Sequence, residues 1–271
     1  MSRPETSDQP PAVTSVKCNL CGSKEFVDLK DRRNARCKRC GSVERTRLTK
    51  LVIDALGILR PGADVLHLAP ELGLYKALVS IAGRGVIPAD IDVARYSRYE
   101  GIRHLDLCGD YTSVSDRRYD LIIHSHVIEH IPCNYTVALK RLNDLLKPNG
   151  YQVCSIPIMD GHYDEYLGDL SAEVATKRFG QANHVRRFGV EDLQATLGQI
   201  VPIAPTYNLL EKFDAATLAR CNIPEIYWKG YSPNSVLYWR KEEFLLRDQQ
   251  DGSWRLPRGV SLKAIWPRSQ K

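Results

Sequence analysis

The sequence predicts an α/β fold, a parallel sheet with helices on both faces, preceded by a small module built around four cysteines. Three observations carry the prediction. Apolar runs of strand length alternate with segments of helical period from residue 43 to residue 245. Four cysteines fall into two Cys-x2-Cys pairs ahead of that stretch. The chain has 271 residues, 43% of them hydrophobic, which suffices for one sizeable core plus a small appendage.

The elements follow in order. Residues 1–16 are polar and Pro-rich with no apolar h-region, so they read as a disordered leader rather than a signal peptide. No apolar run reaches the roughly 18 residues that a membrane span needs. The expected location is therefore the cytoplasm, with no membrane partner. Residues 17–42 hold Cys18, Cys21, Cys37 and Cys40, with fifteen residues between the pairs. That is the spacing of a four-thiolate zinc ribbon. Zinc takes four soft ligands tetrahedrally, and two residues between cysteines let one tight turn present both thiolates. Gly22 and Gly41 follow the second cysteine of each pair. Glycine there can take positive φ and turn backbone N–H groups back toward sulfur. With sulfur at all four corners the site is structural, and the metal supplies the folding energy of a loop too short to bury a core. The competing reading is a chance set of buried thiols.

Residues 43–59 carry apolar positions at helical spacing, and Arg60-Pro61-Gly62 ends the helix. Strands are expected at 63–68, 85–91, 102–107, 119–124 and 151–158. Helices are expected at 71–82, 134–146 and 190–200. Two late strand-like runs cover 205–213 and 235–241. Ligands of open α/β sheets bind beyond the carboxyl ends of the strands. That places the site at residues 69–73, 90–92, 106–108 and 124–131. An insertion over about 159–189 lies at the same end and reads as a lid or acceptor pocket. A pocket closed by His162, Tyr163, His184 and Arg186 would favour a small anionic or polar acceptor, and an open basic groove running to the ribbon would favour RNA.

The formal charge is +6 and uneven. Residues 17–50 carry eleven Lys and Arg against four acids, and the tail, residues 246–271, has five Lys and Arg and no acid from Trp254 onward. Both clusters suit phosphate, in nucleic acid or a nucleotide-sugar. The first also offsets its own metal site, since four thiolates and one zinc ion sum to −2. Cys108, Cys133, Cys154 and Cys221 are scattered and read as small buried hydrophobes.

Residues 119–158, YDLIIHSHVIEHIPCNYTVALKRLNDLLKPNGYQVCSIPI, resemble the class I S-adenosylmethionine-dependent methyltransferases. The block matches that family's fourth strand, the following helix and its L-K-P-x-G turn, and it carries a strand-end His-x-x-Glu-His-Ile run. The family's G-x-G-x-G turn is altered. Here it reads His67-Leu68-Ala69-Pro70-Glu71-Leu72-Gly73, with Ala69 in place of the first glycine. It is similar to the A-P-E turn of a zinc-ribbon-linked subgroup. The segment FGQANHVRRFG, residues 179–189, resembles another subgroup's F-G-Q-x-D-H-V-R-x-Y-G, with Asn183 replacing the acid.

The resemblance implies a Rossmann-like sheet over residues 43–245 and S-adenosyl-L-methionine as cofactor. It implies that Ala69, Glu71 and Gly73 flank the methionine moiety. Asp90 would accept hydrogen bonds from the ribose hydroxyls, with Asp92 as the alternative and a helix cap as the plain reading of Asp90. Asp106 and the Leu107 N–H would meet the adenine, unless Asp106 only makes a turn. His124, Ser125 and His126 would line the floor near the methyl group. Histidine suits a base because its pKa lies near neutrality, and His126, His130 and His184 qualify. Glu129 is either a paired general base or a helix-start acid. His126, Glu129 and His130 do not read as a metal site, because the ribbon already accounts for zinc. The leading expectation is methyl transfer to an O or N atom of a small molecule or saccharide. The alternatives are RNA base methylation with the ribbon gripping RNA, or a non-catalytic interaction protein. No Asn-Pro-Pro-Tyr or cysteine-nucleophile motif supports the RNA reading. The oligomeric state is left open.

Overall fold

The computed structural model describes residues 15–246. The expected leader and basic tail lie outside the described residues, except for their innermost ends. The ribbon is a hairpin of β1 (Phe26–Leu29) and β2 (Arg32–Cys37), paired antiparallel with Phe26 opposite Cys37. Helix α1 (Glu44–Leu56) follows directly and ends where Gly57 takes φ 63°. Its buried face is unusually polar, with Thr46, Arg47, Thr49 and Lys50 all enclosed, because the ribbon covers one flank and the larger domain the other.

The domain then alternates as expected. Strand β3 (Val65–Leu68) leads to α2 (Leu72–Ala82), β4 (Val86–Asp90) and a short β5 (Arg103–His104). Strand β6 (Tyr119–Ser125) is followed by α3 (Tyr135–Asp144), whose start is capped by the Asn134 side chain accepting from Thr136 N and Val137 N. Strand β7 (Leu146–Ser155) begins earlier than predicted and includes the Lys-Pro-Asn-Gly turn. Its Lys147 is held by Asp64 at 2.7 Å and Asp120 at 2.8 Å. Within the insertion lie β8 (Ile158–Met159), β9 (Asp164–Glu165), α4 (Ala172–Phe179) and β10 (Arg186–Gly189). They form a separate small sheet in the order β8-β10-β9. Helix α5 (Ala215–Arg220) and β11 (Val236–Arg240) are the last helix and strand among the described residues.

The main sheet runs β11-β7-β6-β3-β4-β5. Strands β3 to β7 are parallel and β11 pairs antiparallel with β7 at the edge. Chain order reverses between β3 and β6, which makes a crevice at their carboxyl ends. Alternate residues feed two cores. Val65, Leu121, Ile123 and Val153 pack with Leu48 and Leu78 of α1 and α2, while Leu66, Ile122 and Cys154 pack with Leu139 of α3. Both faces are therefore covered, as parallel strands require.

Three expected elements differ. Residues 190–200 form turns and one 3-10 turn, Leu197–Gln199, instead of a helix. The Asp192 carboxylate is taken by Tyr163 N, and the Thr196 hydroxyl bonds the Asp192 carbonyl, so local polar contacts compete with helical ones. Residues 205–213 make a single bridge, Asn208 to Lys229, because the Asn208 side chain accepts from Leu210 N and turns the chain. The third predicted strand shortens to two residues. Two of the scattered cysteines also depart from expectation. Cys108 and Cys133 form a disulfide with Cα atoms 5.6 Å apart, joining the loops after β5 and β6. Cys154 and Cys221 are free and buried.

Candidate functional site

The four ribbon sulfurs lie within 4.8 Å of one another. Cys18 and Cys40 are 3.6 Å apart, and Cys21 and Cys37 are 3.5 Å apart. Tetrahedral zinc at 2.3 Å from each sulfur needs edges of about 3.8 Å, so the donor set fits that ion. Gly22 and Gly41 do take positive φ, 77° and 75°, and their N–H groups bond the Cys18 and Cys37 carbonyls. The ribbon is bound firmly to the domain. Arg47 of α1 is fully buried and donates to the carbonyls of Ala35, Ser42, Cys221 and Asn222. Four more residues of the basic cluster pair with acids of the same chain, the Lys38–Glu25 pair on the exposed surface. Arg32 pairs with Glu44, Lys38 with Glu25, Arg45 with Glu71 and Lys50 with Asp54.

At the crevice, two non-glycine residues take positive φ: Ala69 after β3, at 45°, and His126 just past β6, at 54°. That conformation favours glycine, so it marks backbone held under strain by its surroundings. Tyr99, which no sequence pattern singled out, fixes the turn by donating from its hydroxyl to the Pro70 carbonyl at 2.6 Å. Glu71 accepts from Thr46 Oγ1 at 2.9 Å through one oxygen, while its other oxygen is buried with no partner among the described residues. Such an acceptor suits an ammonium group. Asp90 ends β4 half-buried, and burial raises its carboxyl pKa, although the Asp92 N–H bonds it at 2.8 Å. Asp92 itself caps the following turn by accepting from Arg95 N. Asp106 accepts from Cys108 N, the contact of a turn residue, and Leu107 beside it is buried.

Three of the residues singled out in the sequence have structural contacts of their own. Gly73 lies inside α2, and a Cβ there would stand 3.0 Å from the Cys40 carbonyl, so its missing side chain makes room for the ribbon. His124 is fully enclosed in β6 and bonds the Gln152 side chain at 2.9 Å, so its ring belongs to the sheet interior. Arg186 is a buried strut that pairs with Glu165 at 2.7 Å and donates to the carbonyls of Cys133 and Ile128. His162 is exposed and pairs with Glu191. His67 is buried in β3, and burial alone lowers its pKa to about 3.

The three candidate histidines do come together, around Glu129. This carboxylate is fully buried, and both its oxygens lack a hydrogen-bond partner among the described residues. Burial pushes its pKa up to about 8. His126 Nδ1 is 3.4 Å from it and His130 Nε2 is 3.9 Å away. The His130 and His184 rings meet edge to face with centroids 4.6 Å apart. Each ring also contacts a backbone carbonyl: His126 Nε2 with Pro233, His130 Nδ1 with Asn183, and His184 Nδ1 with Phe179, at 3.0, 3.1 and 3.2 Å. A carbonyl only accepts, so each of those nitrogens carries the proton. The opposite nitrogens are left as lone pairs. Burial lowers the pKa of all three, His126 to about 3, which keeps the rings neutral. His130 contacts the main-chain oxygen of Asn183, a contact that does not depend on the side chain at that position.

No helix among the described residues is long and apolar enough to cross a membrane. No curated protein matches the sequence. Several solved structures do. A 1,6-didemethyltoxoflavin-N1-methyltransferase from Burkholderia thailandensis is 20% identical over 72% of this chain and 77% of its own, with TM-score 0.43. The N-methyltransferase NodS from Bradyrhizobium japonicum is 16% identical over 40% and 59%, with TM-score 0.32. The CurJ carbon methyltransferase is 21% identical over 46% and 37%, with TM-score 0.36. The chain thus spans less than two thirds of the length of the latter two. The family profile described as "Methyltransferase domain" matches residues 44–199, more than half of the chain. With the parallel sheet, the reversal between β3 and β6 and the antiparallel edge strand, the chain belongs to the class I S-adenosylmethionine-dependent methyltransferases.

Proposed function

We propose that this protein transfers a methyl group to an O or N atom of a small molecule or saccharide, with a structural zinc ion in its ribbon. The observation that carries the reading is the neutral histidine cluster at the strand ends, enclosed on one side by the insertion. S-Adenosylmethionine, when bound, supplies a methyl group on a good sulfonium leaving group. The chain need only orient the acceptor and take up its proton. Ala69 and Glu71 hold the methionine end and Asp90 the ribose hydroxyls. Asp106 and Leu107 meet the adenine, and Ser125 lies by the reacting end. His126 is the base. Its Nε2–H is anchored on Pro233, and its Nδ1, 3.4 Å from the Glu129 carboxyl group, is the nitrogen left to take up the proton. His130 and His184 shape the wall, and residues 159–189 act as the lid.

RNA is the weaker reading, because five of the eleven basic residues over 17–50 are spent on internal partners. The test supplies methyl-tritiated S-adenosylmethionine and the pure protein with a metabolite and saccharide extract or with total RNA. Label in the small-molecule fraction is expected. Label in RNA alone overturns the reading. The His126→Gln variant should bind S-adenosylhomocysteine as the parent does and lose activity by roughly a hundredfold or more.

A further inference from the structure

A buried carboxyl group with no hydrogen bond to either oxygen is costly to a fold whether neutral or charged, and a bound cation relieves that cost. Glu129 is such a group, and the neighbouring cations do not bond it. Arg45 is turned to Glu71 at 3.4 Å, and Arg186 is committed to Glu165 and two carbonyls. A Glu129 oxygen, a His130 ring nitrogen and a His184 ring nitrogen lie within 4.8 Å of one another. The His184 Nε2 atom is buried with no partner among the described residues. Both rings anchor Nδ1 on a backbone carbonyl, the arrangement that orients metal-ligating histidines and fixes their tautomer.

We propose that Glu129, His130 and His184 bind a divalent first-row transition ion, a second metal site separate from the ribbon. Two imidazole nitrogens and one carboxylate suit zinc, cobalt(II) or iron(II), and do not suit magnesium or calcium, which prefer all-oxygen shells. Three protein ligands leave positions open for water or for an oxygen of the acceptor. Sequence alone assigns no metal to His126, Glu129 and His130, because the ribbon already accounts for zinc. The fold replaces His126 by His184, which comes from 54 residues beyond His130. The ion would clasp the insertion onto the loop after β6. His126 remains outside the set, with Nδ1 3.4 Å from the Glu129 carboxylate.

Metal binding here does not depend on which acceptor is methylated, and it is read without turnover. The full chain, with zinc already in the ribbon, is titrated with Co²⁺ alone. One equivalent should enter with visible absorption of nitrogen- and oxygen-ligated cobalt and without a thiolate-to-cobalt band. Glu129→Gln and His184→Asn should each weaken it roughly tenfold or more. Thermal melts without cobalt report whether each variant folds. If the unaltered protein takes up no cobalt beyond the ribbon, the proposal fails, whatever the variants do. It also fails if folded Glu129→Gln binds cobalt as tightly as the parent. Calorimetric binding of S-adenosylhomocysteine to the same sample reports on the methyltransferase reading independently.

Discussion

The ribbon and the strand-end cluster gather their polar ligands in opposite ways. The ribbon takes four sulfurs from 23 consecutive residues, Cys18 to Cys40, using two tight turns and a hairpin. The cluster takes Glu129 and His130 from one loop and His184 from an insertion, and anchors His126 on Pro233 from a third segment. The first arrangement is encoded by spacing, and the second exists only once the sheet has formed. A local site can therefore be lost without erasing the rest of the fold. A site assembled from distant segments depends on every element that carries it.

Removing the ribbon's ligands tests that contrast most severely. If the ribbon holds the proposed zinc ion, Cys40→Ser, or exposure to a strong chelator, should unfold residues 17–42 and lower the stability of the whole chain by about 3 kcal/mol or more, because the metal would supply the folding energy there. A melt with and without chelator measures it. If the melting temperature does not move, the ribbon is self-supporting and the contrast breaks. Arg47→Met comes next. It strips donors from four carbonyls, three of them buried, that stitch ribbon to domain, and a cost of about 3 kcal/mol is expected by denaturant titration.

Asp120 offers a control at the opposite end of β6. Burial works against its charge, yet hydrogen bonds from Lys147, the Asp64 N–H and Arg60 bring its carboxyl pKa below the usual range. A depressed folded pKa stabilises above the unfolded value, near 3.9, and that contribution fades as pH falls through the folded value. Asp120→Asn should therefore cost about 1–2 kcal/mol at neutral pH, and the gap from the parent should close below about pH 4. A constant gap across that range would remove the charge from the explanation. The smallest effect is expected from Ala69→Gly. Relief of positive φ should stabilise by about 0.5–1 kcal/mol, which chemical denaturation can resolve.

What could be read in advance followed the same contrast. Cys18, Cys21, Cys37 and Cys40, with the backbone conformations of Gly22 and Gly41, were legible because each depends on its immediate neighbours. The β6 strand and the α3 helix were legible through their local apolar pattern and the Lys147-Pro148-Asn149-Gly150 stretch that follows the helix. The helix expected over 190–200 failed because Asp192 and Thr196 bond locally, a competition that apolar spacing does not register. Arg186 looked like a pocket residue, since nothing in its segment announces that Glu165 and two distant carbonyls receive it. The pairing of Cys108 with Cys133 depends on β5 and β6 delivering their loops to one place. Arg45 and Arg47 counted as phosphate-seeking charge, because a sequence lists cations without saying which of them the fold consumes.

One small contact bears on how freely this protein can be rearranged. Gly73 is the last glycine of the altered turn, and the space its side chain would fill is taken by Cys40, with a built Cβ standing 3.1 Å from that sulfur. The two parts of the chain meet there with no slack. The ribbon is consequently not a portable module. Grafted onto a related domain with a larger residue at that position, it would have to shift its own cysteine, and a domain stripped of it would bare a notch at the first turn of α2.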